Sequence, residues 1–527
     1  MSNTGLLILT NPSKVTRLLP MIKKSVLKTL YIQYLPEKSI SIVENHTIGC
    51  MAQNMFKYAA TVANIYTIAS NVLMPLDVRI LLTNLRNPHI TTINTKKPVE
   101  IVIFDRTYSK NEMDAIIQNC ILNTSFSCGF VTCDDEKVED ENTTNENIDS
   151  LQAWKLYKNV VLGGTFDRLH NGHKIFLTEA IIHCSQKLTV GVTDTNMLSS
   201  KLLWELIEPC SNRIMNVKDF LEDVDSSLIY DILPIDDMYG PTKSDPNLDM
   251  IVVSEETERG GEKVNEYRAK LSMNILDIHI VKLLSDQKSK PYEEKKISSS
   301  NQRIRLLGRR LKNPDFCRRH QRPYIIGLTG GIASGKSSVA TKLKGLGAGL
   351  VNCDEIAHDL YLPGKKCFDL IRTTFGQTIL NKEGFIDRAI LGNIVFNNKE
   401  KLTELNRLVW PIILEEAMSM VNKLYAEGFE IIVMEAAVLI QANWGHRCHE
   451  IWTCIIPAKE AIQRVMKRNA LTEGEIEKRI KIQPSNLDQV RAANVVFCTL
   501  WSHEVTYEQV ERAWNDLQKY LKHGAQS

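Results

Sequence analysis

The feature that most constrains the fold of this 527-residue chain is a glycine-rich run between an apolar segment and a helix-forming one. Residues 324–328 (YIIGL) have the composition of a buried strand, and residues 330–337 read GGIASGKS, which matches the spacing G-x-x-x-x-G-K-S. Strand, glycine loop and helix in this order predict an α/β unit. Backbone N–H groups of such a loop surround phosphate groups, so the sequence predicts a nucleotide site.

The loop also predicts individual roles. Lys336 would reach the β- and γ-phosphates of ATP, and the Ser337 hydroxyl would bind the accompanying magnesium ion. No N-K-x-D motif of the kind that reads guanine follows the loop. The expected ATP-binding residues here are Gly330, Gly331, Ile332, Ala333, Ser334, Gly335, Lys336 and Ser337.

Downstream residues favour a kinase among the proteins that share this loop. A strand-like run at 349–352 leads to Asp354, where an acceptor hydroxyl could meet the γ-phosphate, so Asp354 is a candidate general base. An Asp at this position could equally be a helix N-cap, and the two roles are compatible. Arg464 and Arg468 lie four apart in the helical stretch 459–468, a layout similar to the lid of small-molecule kinases, and Arg468 is expected to contact transferring phosphates.

A second chemical motif lies earlier in the chain. A strand-like run at 159–162 leads into Gly163-Gly164-Thr165-Phe166-Asp167, and His170-Asn171-Gly172-His173 then precedes the helical stretch 174–183. A helix N-terminus binds phosphate, and two imidazoles there can donate to negative charge that develops on phosphorus. Two histidines three apart would alone indicate only a helix boundary, but the adjoining GGTFD favours a catalytic role.

These residues together resemble the nucleotidyltransferase superfamily, in which an HxGH follows a strand-borne GTFD. The resemblance implies a Rossmann-like domain with His170 and His173 as catalytic groups. It also implies that Lys201, after the next strand, follows charge near the scissile phosphate. The run ISSSNQR at 297–303 is similar to the superfamily's I-S-S-T-x-x-R motif. The implied ATP-binding residues are Gly163, Gly164, Thr165, Phe166, Ser298, Ser299, Ser300 and Arg303.

Residues 237–241 (DMYGP) and 252–261 (VVSEETERGG) resemble the eukaryotic-type phosphopantetheine adenylyltransferases. Arg259 is the candidate for holding a substrate phosphate. The closest alternative is a cytidylyltransferase for choline or ethanolamine phosphate, which shares the HxGH. The R-T-x-G-I-S-T type of ending expected of that class is absent from the sequence.

The last part of the chain resembles the dephospho-coenzyme A kinases. Residues 352–358 (NCDEIAH) are similar to their D-x-D-x-I-A-H/R motif, with Asn352 in place of the first Asp. Residues 384–392 (GFIDRAILG) add to the likeness and make Arg388 a candidate substrate-binding residue. Two further departures are Trp410, where many members have His, and Glu435, where many have Asp.

The order of the two motifs is similar to that in the bifunctional coenzyme A synthase family of animals, over roughly the last two-thirds of the chain. This resemblance implies AMP transfer from ATP to 4′-phosphopantetheine and then phosphorylation of the dephospho-coenzyme A on its ribose 3′-hydroxyl, both with Mg²⁺. Two alternatives stay open. One is a cytidylyltransferase-like domain fused to another small-molecule kinase, and the other is a scaffold that senses nucleotides through degenerate sites.

We expect three α/β units. They are an N-terminal domain of unknown role at 1–133, an adenylyltransferase domain at 156–305 and a kinase domain at 324–524, separated by an acidic linker at 134–155 and a basic connector at 306–323. The formal net charge of +2 is not the strongly basic charge that is typical of a protein that binds nucleic acids. No segment of the sequence has the composition of a membrane span. The expected partners are therefore the small molecules ATP, 4′-phosphopantetheine and dephospho-coenzyme A.

The first thirty-six residues contain five Lys or Arg and no Asp or Glu, which is compatible with a mitochondrial presequence. The favoured interpretation is that residues 5–10 form a buried strand and 14–28 a helix of a folded domain. The expected location is the cytoplasm, with mitochondrial association (matrix or outer membrane) as the alternative. The sequence leaves the oligomeric state open.

Overall fold

The computed structural model describes residues 1–35, 48–73, 76–87, 89–133, 155–318, 321–468 and 472–522. The chain divides into two compact units, Met1–Gln302 and Arg303–Ser527. The first unit holds two five-stranded sheets and the second unit holds one. The strand pairs within all three sheets are parallel, which confirms the predicted α/β class.

The first sheet has the strand order β3-β2-β1-β4-β5. Its strands are β1 Ser2–Leu9, β2 Val26–Tyr34, β3 Asp77–Leu81, β4 Val99–Phe104 and β5 Thr124–Thr132. Its helices are α1 Val15–Ile22, α2 Ile48–Val72, α3 Thr83–Arg86 and α4 Lys110–Cys120. The strand predicted at 5–10 is therefore confirmed, and it lies at the centre of the sheet.

The prediction of a helix at 14–28 is wrong for the second half of this range. Helix α1 ends at Ile22, and β2 begins four residues later at Val26. Residues 26–34 (VLKTLYIQY) are rich in β-branched and aromatic side chains, and β2 pairs along β1 with Thr29–Tyr34 largely buried. Burial between neighbouring strands therefore decides the conformation of this segment.

The second sheet has the order β10-β9-β6-β7-β8. Its strands are β6 Tyr157–Gly164, β7 Cys184–Thr193, β8 Ile229–Ile235, β9 Met250–Ser254 and β10 Asp277–Val281. Its helices are α5 Asn171–His183, α6 Cys210–Val224 and α7 Glu258–Lys270, and α8 Ser299–Leu306 spans the boundary between the two units. One hydrophobic cluster joins residues of both sheets, from Leu7 to Val281, so the two sheets share a core.

The second unit has the sheet order β12-β13-β11-β14-β15. Its strands are β11 Tyr324–Gly330, β12 Gly349–Asn352, β13 Ile431–Glu435, β14 Glu450–Ile455 and β15 Val495–Cys498. Its helices are α9 Lys336–Gly345, α10 Cys353–Leu360, α11 Lys366–Phe375, α12 Arg388–Phe396, α13 Lys399–Ala426, α14 Ala458–Arg468, α15 Glu473–Ile482, α16 Asn486–Ala492 and α17 His503–Lys522. Every residue of the central strand β11 is buried, as expected of a parallel sheet covered on both faces.

The predicted acidic linker lies outside the described residues, apart from Lys155. The predicted basic connector contains a short 3₁₀ helix at Phe316–Arg318. The predicted domain boundaries stay predictions. None of the helices in the described residues combines the length and the apolar composition of a membrane-spanning segment.

Candidate active sites

The turn between β6 and α5 carries the first predicted site. Phe166 and Arg168 have φ values of 50° and 49°, so the chain twice enters the left-handed region within this turn. The Phe166 ring folds back over the end of β6, where a Cβ on Gly164 would lie 2.9 Å from it. Gly164 is therefore required by close packing against its own turn.

The two histidines of the turn lie against each other. His170 is the N-cap of α5, and its Nδ1 accepts a hydrogen bond of 3.3 Å from the backbone N–H of His173. The rings stack with centroids 3.8 Å apart. A Cβ on Gly172 would lie 3.1 Å from His170 Nδ1, which explains the glycine between the histidines. Since Nδ1 of His170 accepts, its ring proton is on Nε2.

Burial keeps both imidazoles neutral at pH 7. It lowers the pKa of His170 well below the ordinary 6.5, and the nearby His173, Lys174 and Lys296 lower it further. Burial lowers the pKa of His173 to about 4, against a smaller opposing effect of Asp167. His170 Nε2 and His173 Nδ1 are buried and have no hydrogen-bond partner among the described residues. The pair can thus offer N–H donors to a ligand that enters the turn.

Buried polar contacts hold the turn in place. The fully buried Arg213 donates to the Thr165 carbonyl at 2.7 Å and to the Glu208 carbonyl at 2.8 Å. The Ser299 hydroxyl donates to the Asp167 carbonyl at 3.0 Å, which brings the predicted serine segment to the turn. Ser298 accepts from the Asn301 N–H at 3.2 Å. The sequence carried no signal for Arg213, because a lone Arg in an amphipathic helix has no distinguishing spacing.

The remaining residues predicted for this site lie on different elements. Lys201 is half-buried in the turn after β7, and Arg259 is exposed in the first turn of α7, after β9. Strands β7 and β9 flank β6, so the carboxyl ends of the three strands meet at one edge of the sheet. Ser300 lies in α8, and Arg303 is buried in the part of α8 that belongs to the second unit.

The second predicted site is the loop between β11 and α9. Ala333 and Gly335 take φ values of 56° and 78°. A Cβ on Gly330 would lie 2.4 Å from Ser334 Oγ and 2.7 Å from the Cys454 carbonyl oxygen, so only glycine fits there. Gly331 and Ile332 follow in the same turn, and the Ile332 N–H donates to Gln483 Oε1 at 2.9 Å.

Three segments distant in sequence meet at the end of this loop. Lys336 Nζ lies 2.7 Å from Glu435 Oε1 and 3.2 Å from Asp354 Oδ2. The Ser337 hydroxyl donates to the same Glu435 oxygen at 2.7 Å. Glu435 is 1% exposed at the end of β13, whereas the Asp354 side chain is 57% exposed. A buried carboxylate, a lysine, a hydroxyl and an accessible carboxylate therefore form one cluster.

The proposed capping role of Asp354 is wrong. Asn352 is the N-cap of α10, and its Oδ1 accepts from the N–H groups of Asp354 at 3.0 Å and Glu355 at 3.3 Å. An N-cap residue typically has the extended conformation just before the helix, and Asn352 ends β12 in that conformation. Asp354 lies in the first helical turn, which leaves its carboxylate available to Lys336.

The two arginines predicted near the loop, Arg464 and Arg468, have different surroundings. Arg464 contacts protein groups: it donates to Thr499 Oγ1 at 2.9 Å and to the Thr499 carbonyl at 2.6 Å. The Thr499 hydroxyl in turn donates to the Ser334 carbonyl at 2.9 Å, so Arg464 stabilises the loop. Arg468 is exposed at the end of α14. Sequence reasoning missed Thr499, which no motif marks.

Arg388 begins α12 and lies beside α10. Its guanidinium contacts His358 Nε2 and stacks on Tyr361, 5.3 Å from the ring centroid. Burial lowers the pKa of Arg388 from its ordinary value. The predicted substrate residue thus lies next to the helix that carries Asp354.

Comparisons with known proteins give a family match for each of the two regions that carry a candidate site. Residues 324–499 match the family model for dephospho-CoA kinase, and residues 161–305 match the cytidylyltransferase-like family model. The chain is 40% identical to a dephospho-CoA kinase of Carboxydothermus hydrogenoformans over 35% of its own length and 90% of that protein. It is 36% identical to the one from Moorella thermoacetica, over 38% of the chain and 94% of that protein.

Among solved structures, the dephospho-CoA kinase from Campylobacter jejuni is 23% identical with a TM-score of 0.27, and the match covers 37% of this chain and 96% of that one. The chain thus carries a kinase-type and a cytidylyltransferase-like region, a combination consistent with bifunctional coenzyme A synthases. Through residues 324–499, the chain belongs to the dephospho-CoA kinase family.

Proposed function

We propose that the chain catalyses the last two steps of coenzyme A synthesis. The supporting observation is that one chain of the dephospho-CoA kinase family also carries the paired neutral histidines of an HxGH turn. The product of the first reaction is then the substrate of the second. The reactions are adenylyl transfer from ATP to 4′-phosphopantetheine and phosphorylation of the resulting dephospho-coenzyme A.

In the first step, a phosphate oxygen of 4′-phosphopantetheine attacks the α-phosphorus of ATP, and pyrophosphate leaves. His170 and His173 donate hydrogen bonds to the charge that develops on the phosphoryl oxygens, as neutral imidazoles. The N-terminus of α5 adds backbone donors. We assign Lys201 to the leaving phosphates, Arg259 to the acceptor phosphate, and the serines of 298–300 with Arg303 to ATP.

In the second step, the ribose 3′-hydroxyl attacks the γ-phosphorus of ATP, and ADP leaves. Asp354, whose carboxylate is exposed beside Lys336, takes the proton of that hydroxyl. Lys336 stays in contact with the phosphate during its transfer. Arg468 lies on the segment that would cover this phosphate. Arg388 beside α10 would bind dephospho-coenzyme A.

The loop also fits a magnesium ion. Ser337 Oγ and Glu435 Oε1 lie 2.7 Å apart, and hydroxyl and carboxylate oxygens are the donors that this ion prefers. Ser337 and Glu435 would therefore hold it. When bound, magnesium neutralises charge on the ATP phosphates.

Two single-residue variants test whether the two reactions take place at separate sites. Lys336→Met should abolish phosphorylation of dephospho-coenzyme A while leaving its formation unchanged, because the histidines lie in the other compact unit. His173→Ala should abolish formation of dephospho-coenzyme A and spare its phosphorylation. Loss of both activities in either variant, as folded protein, would contradict two independent sites.

The alternative first reaction uses CTP, because the family model that matches residues 161–305 is cytidylyltransferase-like. A panel of ATP and CTP with 4′-phosphopantetheine, phosphocholine and phosphoethanolamine separates the two. We expect turnover only with ATP and 4′-phosphopantetheine. Turnover of phosphocholine with CTP would instead support the cytidylyltransferase hypothesis.

The location expected from the sequence, cytoplasm or mitochondrion, stays a prediction. A truncation of the first thirty-six residues is a poor test, because it removes β1 and β2 from the first sheet. Fractionation of the full-length chain is the suitable measurement.

A further inference from the structure

Three potential metal ligands converge on the second half of α5, away from the histidine turn. Glu179 and His183 lie four residues apart on this helix, and His279 lies on the edge strand β10. One ligand atom from each residue lies within 4.8 Å of the other two. His183 is thirteen residues beyond His170, about 20 Å along the helix at 1.5 Å per residue, so this cluster is separate from the proposed adenylyl transfer site.

The spacing of the cluster suits a shared ion. His279 Nε2 and Glu179 Oε2 lie 3.4 Å apart. Two ligands of one tetrahedral ion, each at about 2.0–2.1 Å from it, are separated by about 3.4 Å. The rings of His183 and His279 have centroids 4.3 Å apart and are tilted by 52°, so they do not stack face to face.

The Lys155 carbonyl decides which ring nitrogen of His183 carries the proton. His183 Nδ1 lies 3.5 Å from the Lys155 carbonyl oxygen. A carbonyl can only accept, so Nδ1 carries the proton and Nε2 carries a lone pair. Histidine ligands of metal ions commonly donate their other N–H to a carbonyl in this way.

We propose that Glu179, His183 and His279 bind a divalent transition-metal ion of the zinc type. Two imidazoles and one carboxylate are a donor set that zinc takes up, with water in the fourth position. The Glu179 and His279 side chains are 17% and 30% exposed, which gives the ion a path from solvent. The ion would join α5, whose first turn carries His170 and His173, to the edge of the sheet.

Cobalt binding to the full-length protein tests this site. The protein, purified without a metal-binding tag and dialysed against a chelator, is titrated with Co²⁺ while its visible absorption is followed. We expect one equivalent to give the spectrum of tetrahedral cobalt, and Zn²⁺ to displace it. His279→Gln and Glu179→Gln, at partly exposed positions, should each weaken binding at least about 100-fold.

Two control variants show where on the protein the cobalt binds. His89→Gln, at an exposed position of the same unit, and His173→Gln, in the histidine turn, should both bind cobalt like the wild type. Failure of the wild type to bind cobalt, or unchanged binding in a folded His279→Gln protein, would overturn the proposal. Loss of the signal in His173→Gln would also overturn it, since the ion would then lie at the turn.

Discussion

Lys336 Nζ lies 2.7 Å from the Oε1 atom of Glu435, and the pair is buried beneath the phosphate-binding loop. The same oxygen accepts from the Ser337 hydroxyl. One carboxylate therefore orients both loop side chains that would contact nucleotide and magnesium. Glu435 is also where the sequence departs from the Asp of many related kinases, so the longer side chain keeps the charge at the loop.

Replacing Glu435 tests this arrangement. Glu435→Gln removes the charge and should lower kcat of the kinase step at least about 100-fold, the cost typical of losing one electrostatic group in a water-excluded site. Glu435→Asp keeps the charge and should lose less than about tenfold. Initial rates of ADP formation from dephospho-coenzyme A measure both variants.

A control for this experiment is Glu415→Gln, because the ion pair of Glu415 with Lys366 is exposed. Its rate should equal that of the wild type. A Glu435→Gln enzyme that turns over at the wild-type rate would show that the buried carboxylate has no part in the reaction.

The N-terminal sheet should stabilise the histidine turn through Asp77. Asp77 Oδ1 lies 2.6 Å from Lys174 Nζ, and Lys174 is the buried residue that directly follows His173. Asp77→Asn leaves this ammonium group without its nearest opposing charge and should lower the free energy of unfolding by about 3 kcal/mol. We also expect slower adenylyl transfer, because the helix that carries the histidines loses one of its contacts with the first sheet.

Denaturant unfolding of Asp77→Asn, compared with Asp231→Asn, measures this effect. The Lys187 and Asp231 side chains of the control pair are 34% and 47% exposed, so the loss of this pair should cost less than about 1 kcal/mol. Equal stability of the two variants would mean that Asp77 does not hold Lys174 in solution.

Acid should destabilise the first unit through its histidines. The pKa of His173 is about 4 in the folded chain against an ordinary value of 6.5, so between these values the unfolded chain binds more protons. The stability that this histidine contributes is complete above pH 6.5 and falls as the pH drops toward 4. At pH 5.5 the loss from one such group is about 1 kcal/mol relative to pH 7.5.

Melting temperatures at pH 7.5 and 5.5 provide the measurement. The decrease should be smaller for His173→Gln than for the wild type, whereas the exposed His89→Gln should follow the wild type. An identical decrease in all three proteins would contradict the burial of a neutral His173.

Local patterns were sufficient to predict several strands and the two turns that carry the proposed nucleotide sites. Apolar runs bounded by turns mark β1, β6, β11 and β12, because a strand buried on both faces has a continuous apolar sequence. The helix prediction failed at residues 23–28, where the pairing of β2 with β1 decides the conformation. The motif predicts a carboxylate where the chain has Asn352, whereas the amide oxygen of Asn352 caps α10.

Contacts between distant segments could not be predicted. Lys174 with Asp77, Arg464 with Thr499, and His279 with Glu179 join residues 97, 35 and 100 positions apart. No spacing in the sequence links the members of these pairs, because the pairs form only when sheets and helices pack. The core shared by the first two sheets is unpredictable for the same reason.

The most direct test of the proposed function is to incubate the purified chain with Mg·ATP and 4′-phosphopantetheine and to follow products by mass spectrometry. We expect pyrophosphate and dephospho-coenzyme A first, and then coenzyme A with ADP. Accumulation of dephospho-coenzyme A without coenzyme A would contradict an active kinase site. Absence of both products would contradict the proposed function and favour a different acceptor or a nucleotide-sensing scaffold.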